Sequence, residues 1–438
     1  MYIFLFEDDL VPRLSPVSLS RPAYAITCGG WRLVDLVKAL GTKIGGSVRP
    51  HLEPFQSDYD VDSPAIIPDD ESCLFVNARL VPSLEAWQIL QTLIGQKTAT
   101  IIHHRGQVAA ALLTSGPLLS SATQLASAPL LTSGRQAVTG KNSDNIQTYL
   151  IQTYLSDLQQ DESIAIHSQE LPLLDWPHDV VRYHLELLGS WLEHRLSTGQ
   201  FKQLSDGVYV GDNVVIGDHV VFDTSQGPIL IEDLAQIGPL AYLEGPVQIG
   251  TQAHVLHHAE IKKAVTIGHD SKIGGEVLAS IIEPYSNKQH HGFLGHSYVG
   301  SWVNFGAGSC NSNLKNTYGE ISMQYGDERV ATGTQFLGVI AGDYVKSAIN
   351  TSIFTGKTIG CCSTLYGFVT ENVGAFVNHA KSLGSVTEMS VETVSKSQSK
   401  MFARRGIGQR DCDRQLIKDM HGLTRQQRHG LTSEPPSF

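Results

Sequence analysis

Residues 231–274 read IEDLAQIGPLAYLEGPVQIGTQAHVLHHAEIKKAVTIGHDSKIG, and an aliphatic side chain returns at every sixth position. A helix repeats at about 3.6 residues and a strand at about 2, so neither alone explains a strict period of six. The aliphatic positions are Ile231, Ile237, Leu243, Ile249, Val255, Ile261, Ile267 and Ile273. This period predicts a coil in which each six-residue unit forms one short strand and one turn, with one aliphatic side chain pointing inward.

The same period extends on both sides of this stretch, which predicts a parallel β-helix of hexapeptide repeats over residues 206–375, with three units in each triangular turn. The repeat is interrupted at residues 275–297 and again at about 309–335. Loops that leave a rigid coil commonly hold binding residues. We therefore expect both interruptions to be loops that contribute to a site.

The hexapeptide pattern resembles that of the left-handed β-helix acyltransferases. The resemblance implies a left-handed coil and a homotrimer. It also implies that the substrate and acyl-coenzyme A bind in grooves between neighbouring subunits.

A more specific resemblance lies in GHSYVGSWVNFGAGSCNSN, residues 295–313, which crosses the end of the first interruption. It is similar to the acetyltransferase half of the bifunctional enzyme family that makes UDP-N-acetylglucosamine. On that pattern His296 falls on the catalytic base, Tyr298 on a sugar-phosphate-binding tyrosine, and Asn304 and Asn313 on two substrate-contacting asparagines. The alternative that His296 only shapes a turn stays open.

The residue types suit acyl transfer to an amine. A histidine that titrates near neutrality is the usual general base for deprotonating an ammonium group. The related family also has a phosphate-gripping lysine where this sequence has Leu278 and Ala279. Lys288 and Lys315, one in each interruption, are the candidate replacements. Acetyl-coenzyme A is the expected acyl donor.

The first half of the chain has a different pattern, with apolar strand candidates at 2–6, 73–76, 100–104 and 107–113 and a helical stretch at 83–95. This alternation predicts an α/β, Rossmann-like domain over residues 1–175 with an open, mostly parallel sheet. Residues 176–205 are predicted to form a connecting helix. Residues 376–438 are predicted to form a polar linker, identified with 385–400, and a basic C-terminal tail.

PRLSPVSLSRPAYAI, residues 12–26, resembles the phosphate-binding start of the sugar-phosphate nucleotidyltransferases. The resemblance implies nucleotide-binding roles for Arg13, Arg21 and Asn77, with Mg²⁺ if the domain is active. This sequence departs from the family pattern because Glu7, Asp8 and Asp9 replace the loop glycines and Ala23 replaces a lysine. Three carboxylates that face a triphosphate would repel it unless a cation intervenes.

Composition limits the function classes. The chain has 438 residues and a net charge of −11, so it has no excess of Lys and Arg for general nucleic-acid binding. Its six cysteines show no CxxC pair, and no membrane span or signal peptide is recognised, so we expect a cytoplasmic protein.

Three functions remain open from the sequence. The first is acyl transfer to an amino-sugar phosphate or nucleotide sugar on the β-helix. The second is nucleotidyl transfer to a sugar 1-phosphate in the N-terminal domain. The third is a non-catalytic protein of binding or assembly.

Overall fold

The computed structural model describes residues 1–62, 71–114, 146–161 and 164–433. The chain forms two compact units. The first consists of Met1–Leu14, Arg21–Ile26 and Trp31–Asp175, and the second consists of Ser15–Ser20, Thr27–Gly30 and Trp176–Phe438. Two short segments of the predicted N-terminal domain thus belong to the unit that contains the coil.

The first unit is built on a mixed six-stranded sheet. Tyr2–Phe6 lies inside the sheet and buries all five side chains, as expected of an apolar strand covered on both faces. The strands in spatial order are Lys43–Ser47, Tyr2–Phe6, Cys73–Asn77, Gln107–Leu113, Thr100–His104 and Ala165–Ile166. Among the described residues of this unit, the α-helices are Leu33–Lys38, Leu84–Ile94 and Ile146–Asp157. The predicted α/β class is confirmed.

The sheet is less parallel than the sequence predicts. Gln107–Leu113 runs antiparallel to both of its neighbours. It is joined to Thr100–His104 by Arg105 and Gly106, both of which have positive φ angles (50° and 81°). A two-residue turn of this kind reverses the chain into a hairpin, so these two strands cannot be parallel.

The second unit is a parallel β-helix. Ile231 pairs with Ile249 and Ile249 pairs with Ile267, so each strand stacks on the strand that lies three six-residue units further along the chain. The inward aliphatic side chains form one continuous buried core. The predicted hexapeptide coil is confirmed.

Three faces enclose this core. The first consists of Lys202–Ser205, Val208–Val210, Ile229–Ile231, Val247–Ile249, Val265–Ile267, Ile281–Ile282, Tyr298–Val299, Val339–Ala341 and Lys357–Ile359. The second consists of Val215–Ile216, Gln236–Ile237, His254–Val255, Lys272–Ile273, Asn287–Lys288, Lys346–Ser347, Thr364–Leu365, Val377–Ala380 and Ser385–Glu388. The third consists of Val221–Asp223, Tyr242–Glu244, Glu260–Ile261, Glu276–Leu278, Phe293–Gly295, Cys310–Asn311, Ser352–Ile353 and Phe368–Val369.

The first interruption, residues 275–297, is not a loop, and the prediction that it leaves the coil is wrong. Its strands continue the stack, with Ile267 beside Ile282 and Ile282 beside Val299. The partners in both pairs are closer along the sequence than three full units, so the turns are shorter while the strands persist. The loss of residues from the corners shifts the sequence frame, which is why the period disappears from the sequence.

The second interruption does leave the coil. Val299 pairs with Ala341, which is 42 residues further along the chain, whereas the regular turns pair residues 18 apart. The additional residues of this turn include the hairpin of Ser322–Tyr325 and Glu328–Ala331. Residues 312–338, called the excursion below, begin and end beside the corner that contains His296. The prediction of a loop here is confirmed.

The predicted linker at 385–400 is also wrong. Ser385–Glu388 pairs antiparallel with Val377–Ala380, and Val391–Ala403 is a helix whose N-cap Ser390 accepts a hydrogen bond from the Thr393 N–H. This helix buries Val394, Gln398 and Phe402, and a second helix covers Asp411–Leu423. The buried positions of the first helix form one narrow stripe, too sparse to give the stretch an apolar composition.

The helix predicted over 176–205 is shorter in the structure: it covers Pro177–Ser197 and belongs to the second unit, while Lys202–Ser205 is a strand. No helix within the described residues is long and apolar enough to cross a membrane. His184 on this helix is fully buried, and its Nε2 lies 3.1 Å from the carbonyl oxygen of Ala264. Burial lowers the pKa of His184 to about 4, because the charged ring would lose its hydration.

His184 should make the protein sensitive to acid. The pKa of His184 in the folded protein lies below the ordinary value near 6.5. The stability that the neutral buried ring contributes is therefore fully present above pH 6.5 and is lost as the pH falls toward 4. When the pH falls from 7.5 to 4.5, we expect the unfolding free energy of His184→Gln to decrease by about 2 kcal/mol less than that of the wild type. Urea unfolding at each pH measures both values. His194→Gln, a partly exposed position on the same helix, is the control. Equal pH dependence in all three proteins would contradict the assignment.

Candidate functional site

His296 stands at a corner of the coil, where the strand Phe293–Gly295 ends. Its φ angle is 50°, and its N–H donates to the carbonyl oxygen of Leu278 on the turn below. The Nδ1 atom lies 2.9 Å from the Nδ2 atom of Asn313, and the imidazole stacks on Phe336 with 5.3 Å between ring centroids. The structure thus brings together His296 and Asn313, two of the predicted site residues.

Both ends of the excursion are tied to this corner. The Leu337 N–H donates to the carbonyl oxygen of Asn313 (3.0 Å), and the Gly338 N–H donates to that of His296 (2.8 Å). Asn313 comes from the start of the excursion and Phe336 from its end. These main-chain hydrogen bonds keep both ends of the excursion next to His296, where Asn313 and Phe336 contact its ring.

The electrostatic environment keeps His296 neutral. Burial lowers its pKa to about 4, and the positive charge of Lys263 acts in the same direction. Lys263 is exposed two turns below His296, because its carbonyl oxygen accepts a hydrogen bond from the N–H of Ala279, which lies on the turn directly below His296. The stacking of turns thus brings the positive charge of Lys263 close to His296, although the family pattern has its lysine at the position of Leu278 and Ala279.

Lys263 is a residue that the sequence analysis missed. The expected lysine was sought beside Leu278 and Ala279 on the linear sequence, whereas the coil places Lys263 one turn below Ala279. A search at the interval of one turn within the repeat would have found it.

Lys315 lies in the excursion and donates from Nζ to the carbonyl oxygen of Glu320. Burial lowers the pKa of Lys357, and the charge of Lys315 lowers it further. The segment that contains Lys357 is bound to the base of the excursion, because Thr355 Oγ1 donates to the carbonyl oxygen of Leu314 at 3.1 Å. Lys315 and Lys357 thus add positive charge near the base of the excursion.

Tyr298 is not placed with His296. Its side chain points away from the coil interior, since Val299 occupies the inward position, yet it is completely buried. The hydroxyl donates to Glu283 Oε1 at 2.8 Å, and the same carboxylate accepts hydrogen bonds from the N–H and hydroxyl of Thr27. A tyrosine in this position does not face a substrate, which corrects the expected phosphate-binding role.

Asn304 is also separated from His296. It is an exposed residue on the second face, where it forms bridges to Asn287 and Lys346, while His296 follows a strand of the third face. The prediction that both asparagines surround one acceptor site within this chain does not hold for Asn304.

Lys288 points into the coil interior, stacked on Ile273, and only 4% of it is exposed. Its Nζ donates to the carbonyl oxygens of Gly274 (2.8 Å) and His290 (3.2 Å), and burial lowers its pKa to about 8. The prediction that Lys288 extends from a loop toward a phosphate is wrong, because it occupies an inward position of the hexapeptide frame.

In the first unit, the carboxylates at the end of the first strand are neutralised internally. Glu7 is fully buried and pairs with Arg49, whose Nε lies 2.8 Å from Oε2. It also accepts a hydrogen bond from the Ala23 N–H. Ala23, which stands at the position of the missing lysine, thus contributes its main chain to the carboxylate.

Asp8 has a second buried arginine as its partner. The Nε and Nη2 atoms of Arg79 lie 2.8 and 2.6 Å from the Asp8 oxygens, and Asn77 Nδ2 donates to the same carboxylate at 2.8 Å. The Nη1 atom of Arg79 extends to Asp175 at 3.2 Å. Arg79 is fully buried, so the guanidinium occupies the space between two carboxylates.

This arrangement does not fit a Mg²⁺ ion held by Glu7 or Asp8. The oxygens that would coordinate the ion already accept charge-assisted hydrogen bonds from Arg49 and Arg79. Asp9 is exposed, but its main-chain N–H, not its carboxylate, makes the hydrogen bond to Gln152. No group of three His, Cys, Asp or Glu side chains among the described residues is arranged to hold a metal.

The other predicted nucleotide-binding residues differ in exposure. Arg13 is exposed at the end of the first loop, whereas Arg21 is 5% exposed and its carbonyl oxygen accepts a hydrogen bond from Arg49 Nη2 at 3.1 Å. Asn77 is buried against Asp8. Of these three residues, only Arg13 is exposed to solvent.

Residues 3–190 match the sugar nucleotidyl transferase family. This part of the chain is similar to sugar nucleotidyl transferases. A bifunctional sugar-1-phosphate nucleotidylyltransferase/acetyltransferase from Sulfurisphaera tokodaii is 31% identical over 153 residues, which are 34% of this chain and 38% of that protein. A bifunctional protein GlmU from Acaryochloris marina is 29% identical over 156 residues, or 36% of this chain and 29% of that protein. The chain spans well under half the length of these relatives.

Solved structures of acyltransferases align with about half of this chain, at low sequence identity and low TM-scores. The Arabidopsis UDP-N-acetylglucosamine acyltransferase covers 44% of this chain and 74% of its own at 12% identity, with a TM-score of 0.26. LpxA from Acinetobacter baumannii covers 51% of this chain and 99% of its own at 12% identity, with a TM-score of 0.21. Likeness at these scores supports no statement about function, and the strand pairing of the coil establishes the fold by itself.

Proposed function

We propose that the second unit transfers an acyl group, as acetyl, from acyl-coenzyme A to the amine of an amino-sugar phosphate or nucleotide sugar. The observation that supports this proposal is the neutral imidazole of His296, held between Asn313 and Phe336 with Lys263 nearby. The printed name of the Sulfurisphaera relative includes an acetyltransferase activity, which agrees with the proposal.

In this reaction the acceptor nitrogen attacks the thioester carbon, and the carbon–sulfur bond breaks. His296 accepts the proton that the amine loses and returns it to the departing thiolate, so the products are an amide and free coenzyme A. A pKa of about 4 leaves the imidazole unprotonated at neutral pH, so its lone pair is available, although the ring is a weaker base than a histidine that titrates near neutrality. Lys263 and Lys315 supply the positive charge that a phosphorylated acceptor requires. We further propose a homotrimer, which the resemblance of the repeats implies, and a cytoplasmic location, which fits cysteines without a CxxC pair.

A second candidate is nucleotidyl transfer in the first unit, supported by the family match over residues 3–190. Arg13 would then contact the phosphates. The ion pairs of Glu7 and Asp8 count against a metal-dependent site at these residues. A protein that binds a nucleotide sugar without catalysis is the third candidate.

Release of free thiol from acetyl-coenzyme A tests the leading proposal. We expect thiol release with glucosamine 1-phosphate or another phosphorylated amino sugar in a panel, and none with the matching N-acetylated sugars. Pyrophosphate release from nucleoside triphosphates, with and without Mg²⁺, tests the second candidate on the same preparation. Absence of both products over the whole panel would contradict both enzymatic candidates and favour the binding protein.

A further inference from the structure

The hydrogen bond between His296 and Asn313 determines which ring nitrogen carries the proton. A neutral imidazole has one N–H and one lone pair. As placed, Asn313 presents its Nδ2 donor to His296 Nδ1 at 2.9 Å, so Nδ1 accepts and the ring proton belongs on Nε2. A general base needs its lone pair on the nitrogen that faces the substrate, and Nδ1 is already occupied by the amide.

A flip of the Asn313 amide, which exchanges its oxygen and nitrogen atoms, reverses this assignment. The Oδ1 atom then faces Nδ1 and accepts its proton, which leaves the lone pair on Nε2. Within the described residues the Asn313 side chain makes this one hydrogen bond, so no second contact fixes the orientation of the amide. The two orientations have the same shape, and the flip does not disturb the main-chain bond from Leu337.

The imidazole itself cannot exchange its two nitrogens as easily. Phe336 stacks on the ring at an interplanar angle of 24°, and the main chain of His296 is bonded on both sides, to Leu278 and to Gly338. The mobile element of the pair is therefore the amide.

We propose that Asn313 is a positioning residue that selects the tautomer of His296, and that acyl transfer uses the flipped amide with Oδ1 on Nδ1–H. This inference rests on the proposed function. The charged group that acts on the ring is Lys263, while the packed neighbours Asn313 and Phe336 are neutral. No carboxylate contacts the His296 ring among the described residues, and Asn313 is the group that the structure places at hydrogen-bond distance from Nδ1.

Substitution of Asn313 by Asp tests the proposal. A carboxylate can only accept from Nδ1, so it fixes the tautomer with a free Nε2 and favours the protonated ring. For Asn313→Asp we expect the acid limb of the kcat/KM profile to move to higher pH by at least one unit. For Asn313→Leu, which has similar volume and no acceptor, we expect kcat to fall at least about tenfold without a shift of the limb.

A second measurement does not depend on activity. Deuterium exchange at the C2 position of His296, followed by mass spectrometry over a pH series, reports the titration of this ring. We expect the midpoint to rise by at least one unit in Asn313→Asp and to stay unchanged in Ser312→Ala, a neighbour on the same turn. An unchanged midpoint in Asn313→Asp, or equal kcat in Asn313→Leu and the wild type, would overturn the inference. A shifted midpoint in a protein that releases no coenzyme A would support the contact while refuting the proposed function.

Discussion

Replacement of His296 by asparagine is expected to lower kcat of acyl transfer at least about a hundredfold, because removal of a general base typically costs two to four orders of magnitude. Asparagine is chosen because His296 has a φ angle of 50°, and asparagine tolerates this conformation better than alanine does. The corner of the coil should therefore keep its shape. The measurement is thiol release at saturating acetyl-coenzyme A and acceptor.

His258 provides the matched control. It is also a corner histidine with a positive φ angle (57°), but it is exposed and its ring contact is with the adjacent His257. We expect His258→Asn to retain the kcat of the wild type. If both variants lose activity equally, the role of His296 is structural; if neither loses activity, His296 is not the base.

Replacement of Arg79 by methionine is expected to destabilise the first unit by about 3–5 kcal/mol, the usual cost of leaving a buried charge without its partner. Asp8 would lose two charge-assisted hydrogen bonds, and it is only 1% exposed, so water cannot replace them. Calorimetric unfolding of the full chain measures the effect.

Arg105 is the control for this prediction, because it pairs with the same Asp175 at 3.5 Å but its side chain is 74% exposed. We expect Arg105→Met to change stability by less than about 0.5 kcal/mol. The double variant Arg79→Met with Asp8→Asn should recover part of the loss, since it removes the unpaired charge together with its partner. Equal stability of the two single arginine variants would show that the buried pair contributes nothing specific.

The sequence predicted the coil because the six-residue frame is a local property. Each aliphatic residue such as Ile249 needs only to point inward, and the next turn covers it wherever the frame continues. The frame failed at 275–297, where shortened corners changed the interval while the strands remained. A pattern that counts residues cannot distinguish a shorter corner from a loop.

The pair of His296 and Asn313 was also within reach of the sequence, since both belong to one stretch that resembles a known site. Their contact depends on the chain returning over the corner, which one turn of the coil provides. The same stretch misled for Tyr298 and Asn304, because strand alternation and the change of face directed these side chains elsewhere.

By itself, the sequence determined the repeat, the α/β class of the first domain and the position of His296 in a stretch that resembles a known site. Only the tertiary structure decided which charges meet. Lys263 acts on His296 from two turns below, Lys288 lies in the coil interior, and Glu7 and Asp8 are paired with arginines far from them in the sequence. The physical reason is that stacking and burial act between residues distant along the chain, and a charge has no partner in the sequence until the fold supplies one.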